Sequence, residues 1–419
     1  MDTHALTSRF PSQTILVLGD VCIDEYLSGD CSRLSPEAPV PILRVDAHKT
    51  RRVLGGAANT AANVASLGGQ ALLIGIVGED AHGQEFRDLA HAAGIAFYPV
   101  YDGRPTIKKT RLVGQRQQLL RLDYEETHSV SGDAEASILA LFRAHLPQAG
   151  MVVLSDYAKG FLTEPLAQTF VREAHAAGKQ IMVDPRPRHA SFYRDCDYIT
   201  PNWKESLGLL GLPEHDPDEA SILRHGAALR DAMHANVLMT LGPGGMAFFE
   251  RDSRRHFTLP TQAREVYDVS GAGDTVVAAF ALARAAGASP EDAARFANRA
   301  AGVVVGKLGT ATVSREELDE ADLRERRLVS RDRLGPLSRL LKAEGKKSRN
   351  LERILRRIAR GPFAYTGRGS QARRRAYRWA QQRRLGARLQ GQAPAHCSAG
   401  RARAYAFGLA RRGLRAYFR

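Results

Sequence analysis

The sequence is poor in the features that mark several large protein classes. Its 419 residues hold four cysteines (Cys22, Cys31, Cys196 and Cys397), with no C-x-x-C pair and no histidine cluster beside them. That scatter argues against a disulfide framework or a zinc site and suits a reducing compartment. Met1–Gln13 lacks the basic-then-apolar order of a secretory leader. The apolar run Ile15–Leu18 is only strand-length, and nothing approaches the roughly 20 residues of a membrane span. The expectation is a soluble, cytoplasmic protein without a membrane partner. Aromatic residues are few, at 7 %, yet an apolar share of 44 % suits a cored globular chain and not a disordered one.

Acidic residues are scarce only at one end. Residues 331–419 carry 25 Lys and Arg against 3 Asp and Glu, whereas residues 1–330 carry 35 against 42. The net charge of +15 therefore describes neither part: an acidic domain precedes a basic tail, and each needs its own explanation.

In the acidic part, short β-branched runs alternate with helical patterns. The pattern predicts strands at Thr14–Gly19, Ala71–Val77, Met151–Ser155, Gln180–Asp184, Tyr198–Thr200 and Val237–Thr240. Several are continuous apolar runs, as parallel strands buried on both faces require. Helices are predicted at Ala57–Leu67, Gln84–Ala93, Pro165–Ala177 and Asp274–Ala286. Such alternation implies an α/β fold with a doubly wound, mostly parallel sheet. Residues 26–46 and 106–123 break the rhythm as strands without helices between them, which predicts a small β-sheet lid. Ligands of doubly wound sheets sit at the carboxyl ends of the strands, so motifs there carry most weight.

The strongest motif is Asp268-Val-Ser-Gly-Ala-Gly-Asp-Thr275, followed by an apolar helix. Gly271, Ala272 and Gly273 let backbone N–H groups approach an anion at a helix N-terminus, where the dipole favours negative charge. Asp274 stands at the mouth of that anion site. An electrostatic cradle beside a base is what phosphoryl transfer to an alcohol needs. A bare helix N-cap with an early Asp is the bland alternative.

The arrangement resembles the second signature of the ribokinase (PfkB) family of sugar kinases. The first signature is matched by Gly55-Gly56-Ala-Ala-Asn59-Thr-Ala-Ala-Asn63. The resemblance implies a ribokinase-like fold in which Asp274 is the general base and Gly271–Gly273 steady the transferred group. Gly55, Gly56 and Asn59 would then meet sugar hydroxyls. It further implies that Asn202, Trp203, Lys204 and Glu205, an N-x-x-E element, organise Mg²⁺ and ATP phosphates, with Glu205 acting through water. Thr240, Gly242 and Gly245 are expected near the nucleotide, and Asn298 in the helix lining the adenine pocket.

Three segments resemble, more narrowly, the kinase half of the bifunctional heptose 7-phosphate kinase/heptose 1-phosphate adenylyltransferases. They are Gly19–Pro41, Gln117–Asp123 and Ser155-Asp156-Tyr-Ala-Lys159-Gly160. A substrate already phosphorylated at C7 needs cations, and Arg104, Lys108, Lys109, Arg111, Arg121 and Lys159 lie in or beside the lid. Lys108, Arg121, Asp24, Asp156 and Lys159 are the expected substrate contacts, although Asp24 and Asp156 also suit turns or caps. The resemblance implies ATP and Mg²⁺ as cofactors, and a homodimer through the lid as a further expectation. A kinase of ribose, fructose or a nucleoside is the alternative within enzymes.

The likeness ends after the junction. The sequence divides into a kinase domain at 1–328, a linker at 329–347 and an Arg-rich tail at 348–419. The nucleotidyltransferase motif T-x-N-G-x-F-D-x-L-H-x-G-H, expected after about residue 345, is missing. Permitted codons for Ile354–Tyr365 read one nucleotide later can give Phe-Phe-Asp-Ala-Leu-His-Ala-Gly-His, with the motif's Asp, Gly and both His in register. The tail is thus expected to be an out-of-frame remnant of the second domain, disordered and without a core of its own. The other reading is an evolved basic segment binding nucleic acid non-specifically, its Phe363, Tyr365, Tyr377, Trp379, Tyr405 and Phe407 stacking on bases.

Overall fold

The computed structural model describes residues 3–115, 117–263, 267–307 and 309–325. The linker at 329–347 and the tail at 348–419 lie outside them. Residues through Leu318 form one compact unit, and a second begins at Asp319.

Helix α1 (Thr3–Thr7) and strand β1 (Thr14–Gly19) open the chain. Strands β2 (Val21–Leu34), β3 (Pro41–Val45) and β4 (Arg51–Gly56) precede helix α2 (Ala57–Ser66). Then come β5 (Gln70–Ile76), α3 (Ala81–Ala92), β6 (Ile95–Val100), β7 (Lys108–Gly114) and β8 (Gln117–Tyr124). The middle alternates α4 (Gly132–His145), β9 (Met151–Ser155), α5 (Glu164–Ala176), β10 (Gln180–Asp184) and β11 (Tyr198–Ile199). Helices α6 (Trp203–Leu209) and α7 (Glu219–Met233) lead to β12 (Asn236–Thr240), β13 (Met246–Phe249) and β14 (His256–Leu259). Helices α8 (Ala272–Ala285), α9 (Pro290–Val304) and α10 (Arg315–Glu325) follow.

Nine strands form the large sheet in the order β14-β13-β12-β11-β10-β9-β1-β5-β6. From β6 to β12 neighbours run parallel; β13 and β14 add an antiparallel edge. The strand sequences explain the layering. In β1, Ile15 and Val17 join the core on one face with α2, α8 and α9. Leu16 and Leu18 join the core on the other face with α4, α5 and α7. Side chains alternate along a strand, so an unbroken apolar run is what a sheet covered on both sides demands. Helix α8 is apolar on every side from Val276 to Ala283, as the burial of each of those residues demands.

The smaller sheet has the order β3-β2-β7-β8, with β4 also paired to β2. It occupies the place read as a lid but is larger: β2 begins at Val21, directly after β1, and β4 adds a fifth strand. Because β1, β9 and β10 are parallel and in register, Gly19, Ser155 and Asp184 end at one level. The residues just past those ends face the small sheet's root, where the site is built. Among the described residues no helix is long and apolar enough to cross a membrane.

Candidate active site

The two signatures meet. Helix α8 starts at Ala272 behind an N-cap glycine, Gly271, whose φ of +78° favours glycine. A Cβ there would stand 2.8 Å from the Asn59 amide. That close approach brings α8 against the first turn of α2. Asn59 Nδ2 donates to Asp274 Oδ2 at 2.6 Å, and Thr60 Oγ1 donates to Oδ1 at 3.2 Å. One turn on, Thr275 Oγ1 donates to Asn63 Oδ1 at 3.0 Å. Asp274 is buried, which pushes its carboxyl above the usual range, while the bonds from Asn59, Tyr157 and Thr60 pull it back down. A buried carboxylate with several donors and a raised proton affinity has the chemistry of a proton acceptor.

The anion-binding end of α8 is narrower than the sequence implied. The Ala272 amide turns back to the Val269 carbonyl at 3.2 Å, so Ala272 does not offer a free N–H. Amides of a helix's first turn have no partner within the helix, which leaves Gly273 as the glycine best placed for an anion.

Strand β4 ends in Gly55-Gly56 beside β2. A Cβ at Gly55 would lie 2.7 Å from both Asp24 Oδ2 and Cys22 Sγ, so a larger residue here would have to displace those two side chains. Asp24 is buried, bonded by Arg111 at 2.6 Å and by Thr310 Oγ1 at 3.3 Å. Burial and the Asp24 charge push the Cys22 thiol up to about 12, so it remains a thiol.

Strand parity sorts the cations. Asp24 pairs with Lys109 in the β2–β7 register, and Lys109 with Asp123 across β7–β8. Lys109, Arg111 and Arg121 therefore share the face that carries Asp24, and Lys108 points to the opposite face. There Lys108 lies 3.7 Å from Glu25 and over the Tyr124 ring. Arg121 is exposed and holds Asp123 at 2.8 Å. Arg104 is buried against Asp102 at 2.5 Å, and Lys159 is paired with Glu125. Lys109 has no carboxylate partner among the described residues. Its ammonium stands 5.7 Å from the Tyr157 ring centre, and it lines a small cleft with Asp20, Cys22, Gly56, Tyr157 and Lys159.

Asn202 caps α6. Its side chain accepts from the Glu205 amide, and Glu205 accepts from the Asn202 amide, both at 2.9 Å. The N-x-x-E element is thus a capping box. The second Glu205 oxygen binds Arg186. Trp203 is buried and Lys204 points outward to Glu214, so these two do not join the cluster. Thr240 ends β12 beside Asn202, and Gly242 and Gly245 shape the turn that follows. Asn298 is buried and donates to the Pro260 carbonyl at 2.8 Å, which ties α9 to the loop after β14.

Three residues of the cluster were not singled out by motif. Asp20 accepts from the amides of Tyr157, Lys159 and Phe161 at 2.9, 3.0 and 3.0 Å. Tyr157 Oη donates to Asp274 Oδ1 at 2.7 Å, and Arg186 lies 4.6 Å from its ring centre. Asp156, read as a substrate contact, is fully buried. It bonds the Ala158 amide, Tyr193 Oη and His189 Nδ1 at 2.6, 2.5 and 2.6 Å, so it shapes the turn that carries Tyr157. The signal available in sequence was an aromatic residue directly after an Asp just past a buried strand.

Comparison with known proteins defines the class. The pfkB family carbohydrate kinase profile matches residues 14–317, and the chain belongs to that family, the phosphotransferases that act on a sugar hydroxyl. More particularly, it is 44 % identical over 312 residues to the bifunctional protein HldE of Gluconacetobacter diazotrophicus. That match covers 74 % of this chain and 63 % of the relative. The HldE of Desulfatibacillum aliphaticivorans is 40 % identical over 349 residues, covering 81 % and 70 %. The chain thus spans about two thirds of the length of these relatives. In fold it is similar to phosphofructokinase-2 of Escherichia coli in complex with fructose-6-phosphate, with a TM-score of 0.61 and 20 % identity over 75 % of this chain and 99 % of that one. Ribokinase of Arabidopsis thaliana, complexed with ribose and ATP, gives 0.58 and 22 % over 74 % and 98 %.

Proposed function

We propose that this carbohydrate kinase transfers the γ-phosphoryl group of ATP to the C1 hydroxyl of D-glycero-β-D-manno-heptose 7-phosphate. The product is the 1,7-bisphosphate, an intermediate on the way to ADP-heptose and the lipopolysaccharide core. The observation that carries the kinase reading is the 2.6 Å bond joining Asn59 of one signature to Asp274 of the other. The choice of sugar rests on the heptose-kinase-like segments and on the identity to HldE proteins.

In the mechanism, Asp274 takes the C1 hydroxyl proton as the sugar oxygen attacks the γ-phosphorus. The bond to the β–γ bridging oxygen breaks, and ADP leaves with that electron pair. The α8 N-terminus, through Gly271 and Gly273, steadies charge on the moving group. Asp24, Gly55, Gly56 and Asn59 hold sugar hydroxyls, and Lys109 and Arg111 face the substrate's own phosphate from the small sheet.

Magnesium fits this site as a companion of the nucleotide. No group of three or more His, Cys, Asp or Glu side chains is placed to hold a cation among the described residues. Mg²⁺ keeps much of its shell as water and phosphate oxygen and needs only one or two carboxylates. Glu205 would hold it through water. Burial and the Glu205 charge raise Asp184, and a cation bound nearby would favour its ionised form. When bound, the ion neutralises charge on the β- and γ-phosphates.

Two further readings go with this one. The small sheet leaves Leu120, Leu122 and Tyr124 exposed on one face of β8, which supports a homodimer through the lid, testable by sedimentation. The basic tail is read as the out-of-frame remnant of an adenylyltransferase. The gene sequence decides that, because the second-domain motif must stand in the +1 frame.

The kinase reading is tested by ADP release from the full chain, offering heptose 7-phosphate against ribose, fructose and their phosphates. Selective turnover of heptose 7-phosphate is expected. Preference for another sugar would overturn the substrate and leave the class standing.

A further inference from the structure

The turn after β9 is held with unusual care for a segment that exposes so little. Asp20 gathers three of its amides, and Asp156 gathers a fourth from inside the turn. Ala158 adopts φ +56°, a left-handed conformation that costs a non-glycine residue about 1 kcal/mol or more. Together these bonds fix the turn that carries the Tyr157 side chain, whose hydroxyl reaches Asp274.

That side chain settles which oxygen of Asp274 is available. Each carboxylate oxygen has about two acceptor positions. Oδ1 receives Tyr157 Oη at 2.7 Å and Thr60 Oγ1 at 3.2 Å, which fills it. Among the described residues Oδ2 receives only Asn59 Nδ2, at 2.6 Å, which keeps one position open. We propose that Tyr157 is a positioning residue for the base, saturating Oδ1 with Thr60 so that Oδ2 alone accepts the sugar proton. This rests on Asp274 being the base.

The surroundings keep Tyr157 a donor. Its phenol is raised well above its ordinary range by burial and by the Asp274 and Asp184 carboxylates, so it stays protonated throughout the working range. The charged groups facing the pair are Arg186 over the ring, Lys109 from β7 and Asp184 at the end of β10. Arg186 favours the ionised form of Asp274. A donor to an ionised carboxylate stabilises that form, so losing the hydroxyl raises the proton affinity of Asp274 further.

The test is Tyr157→Phe in the full chain, assayed for ADP release across pH, with melting and ATP binding as checks on folding. The acid limb of kcat/KM is expected to move to higher pH, kcat to fall about 10-fold at neutral pH, and KM for the sugar to stay within about 2-fold. An unmoved limb, or an effect confined to KM, overturns the proposal. If the Phe variant does not fold, Thr60→Val removes the other Oδ1 donor, and the limb must move the same way or the proposal fails. Asp274→Asn separates the underlying reading: turnover surviving in that variant would refute the base itself, whatever Tyr157→Phe shows.

Discussion

The Asn59 amide lies 2.6 Å from Oδ2 of Asp274, although 215 residues separate the two along the chain. One comes from the start of α2 and the other from the first turn of α8. The bond is short, buried and charge-assisted, the kind whose loss costs roughly 1.5–3 kcal/mol. It makes each signature a structural condition for the other.

Burial of Asp274 has a stability cost that an isosteric amide removes. Its carboxyl is raised in the folded protein. The native state therefore binds its proton more tightly than the unfolded chain, and stability falls as pH rises from the unfolded value, about 3.9, through the raised folded one. Asp274→Asn is expected to abolish turnover while raising the melting temperature by about 2–4 °C at pH 7. The gain should fade in melts taken toward pH 4. A variant less stable than the parent at pH 7 would contradict this.

Lys109 should discriminate between a phosphorylated and a plain sugar. Lys109→Met is expected to raise KM for heptose 7-phosphate about 10- to 100-fold and to leave KM for MgATP alone. Lys108→Met, on the opposite face of the same strand, should change neither by more than about 2-fold. Equal effects from the two variants would mean that strand parity does not govern recognition.

Gly160 allows the Tyr157 turn to close. Its φ is +100°, and a Cβ would stand 2.0 Å from the His128 carbonyl oxygen. Gly94 has φ +72° with open space around it. Gly160→Ala should therefore cost more than about 2 kcal/mol, and Gly94→Ala about 1, measured by denaturant unfolding. Similar costs at both sites would show that the contact with His128 relaxes freely.

Glu205 serves the capping box and Arg186 together. Glu205→Ala is expected to lower stability by about 1 kcal/mol and raise KM for MgATP about 10-fold, with little change in KM for the sugar. Steady-state kinetics with each substrate varied in turn checks this. A rise confined to the sugar would place Glu205 on the wrong side of the site.

Much of the architecture was legible because both faces of the large sheet are covered. Met151–Ser155 and Gln180–Asp184 fall where the apolar runs placed them. The antiparallel edge was not legible: β13 and β14 have four residues each, too short for a period to declare itself. The signatures placed Asp274 and Asn59, but the cations needed register. Lys108 and Lys109 are adjacent in sequence and opposed in space, and only strand pairing tells them apart. Tyr157 escaped because its partner is 117 residues away and belongs to a different motif.

The strand order bears on how the protein is made. Strand β1 is synthesised early yet lies between β5 and β9, so its second edge waits for residues 151–155. Asp274 arrives later still, on α8. Non-local pairing of this kind slows folding. It also means that a chain released before residue 274 has β1, β9 and α2 but not α8, which packs with them in one core. An unfinished copy therefore leaves part of that apolar face bare until the last helices are made.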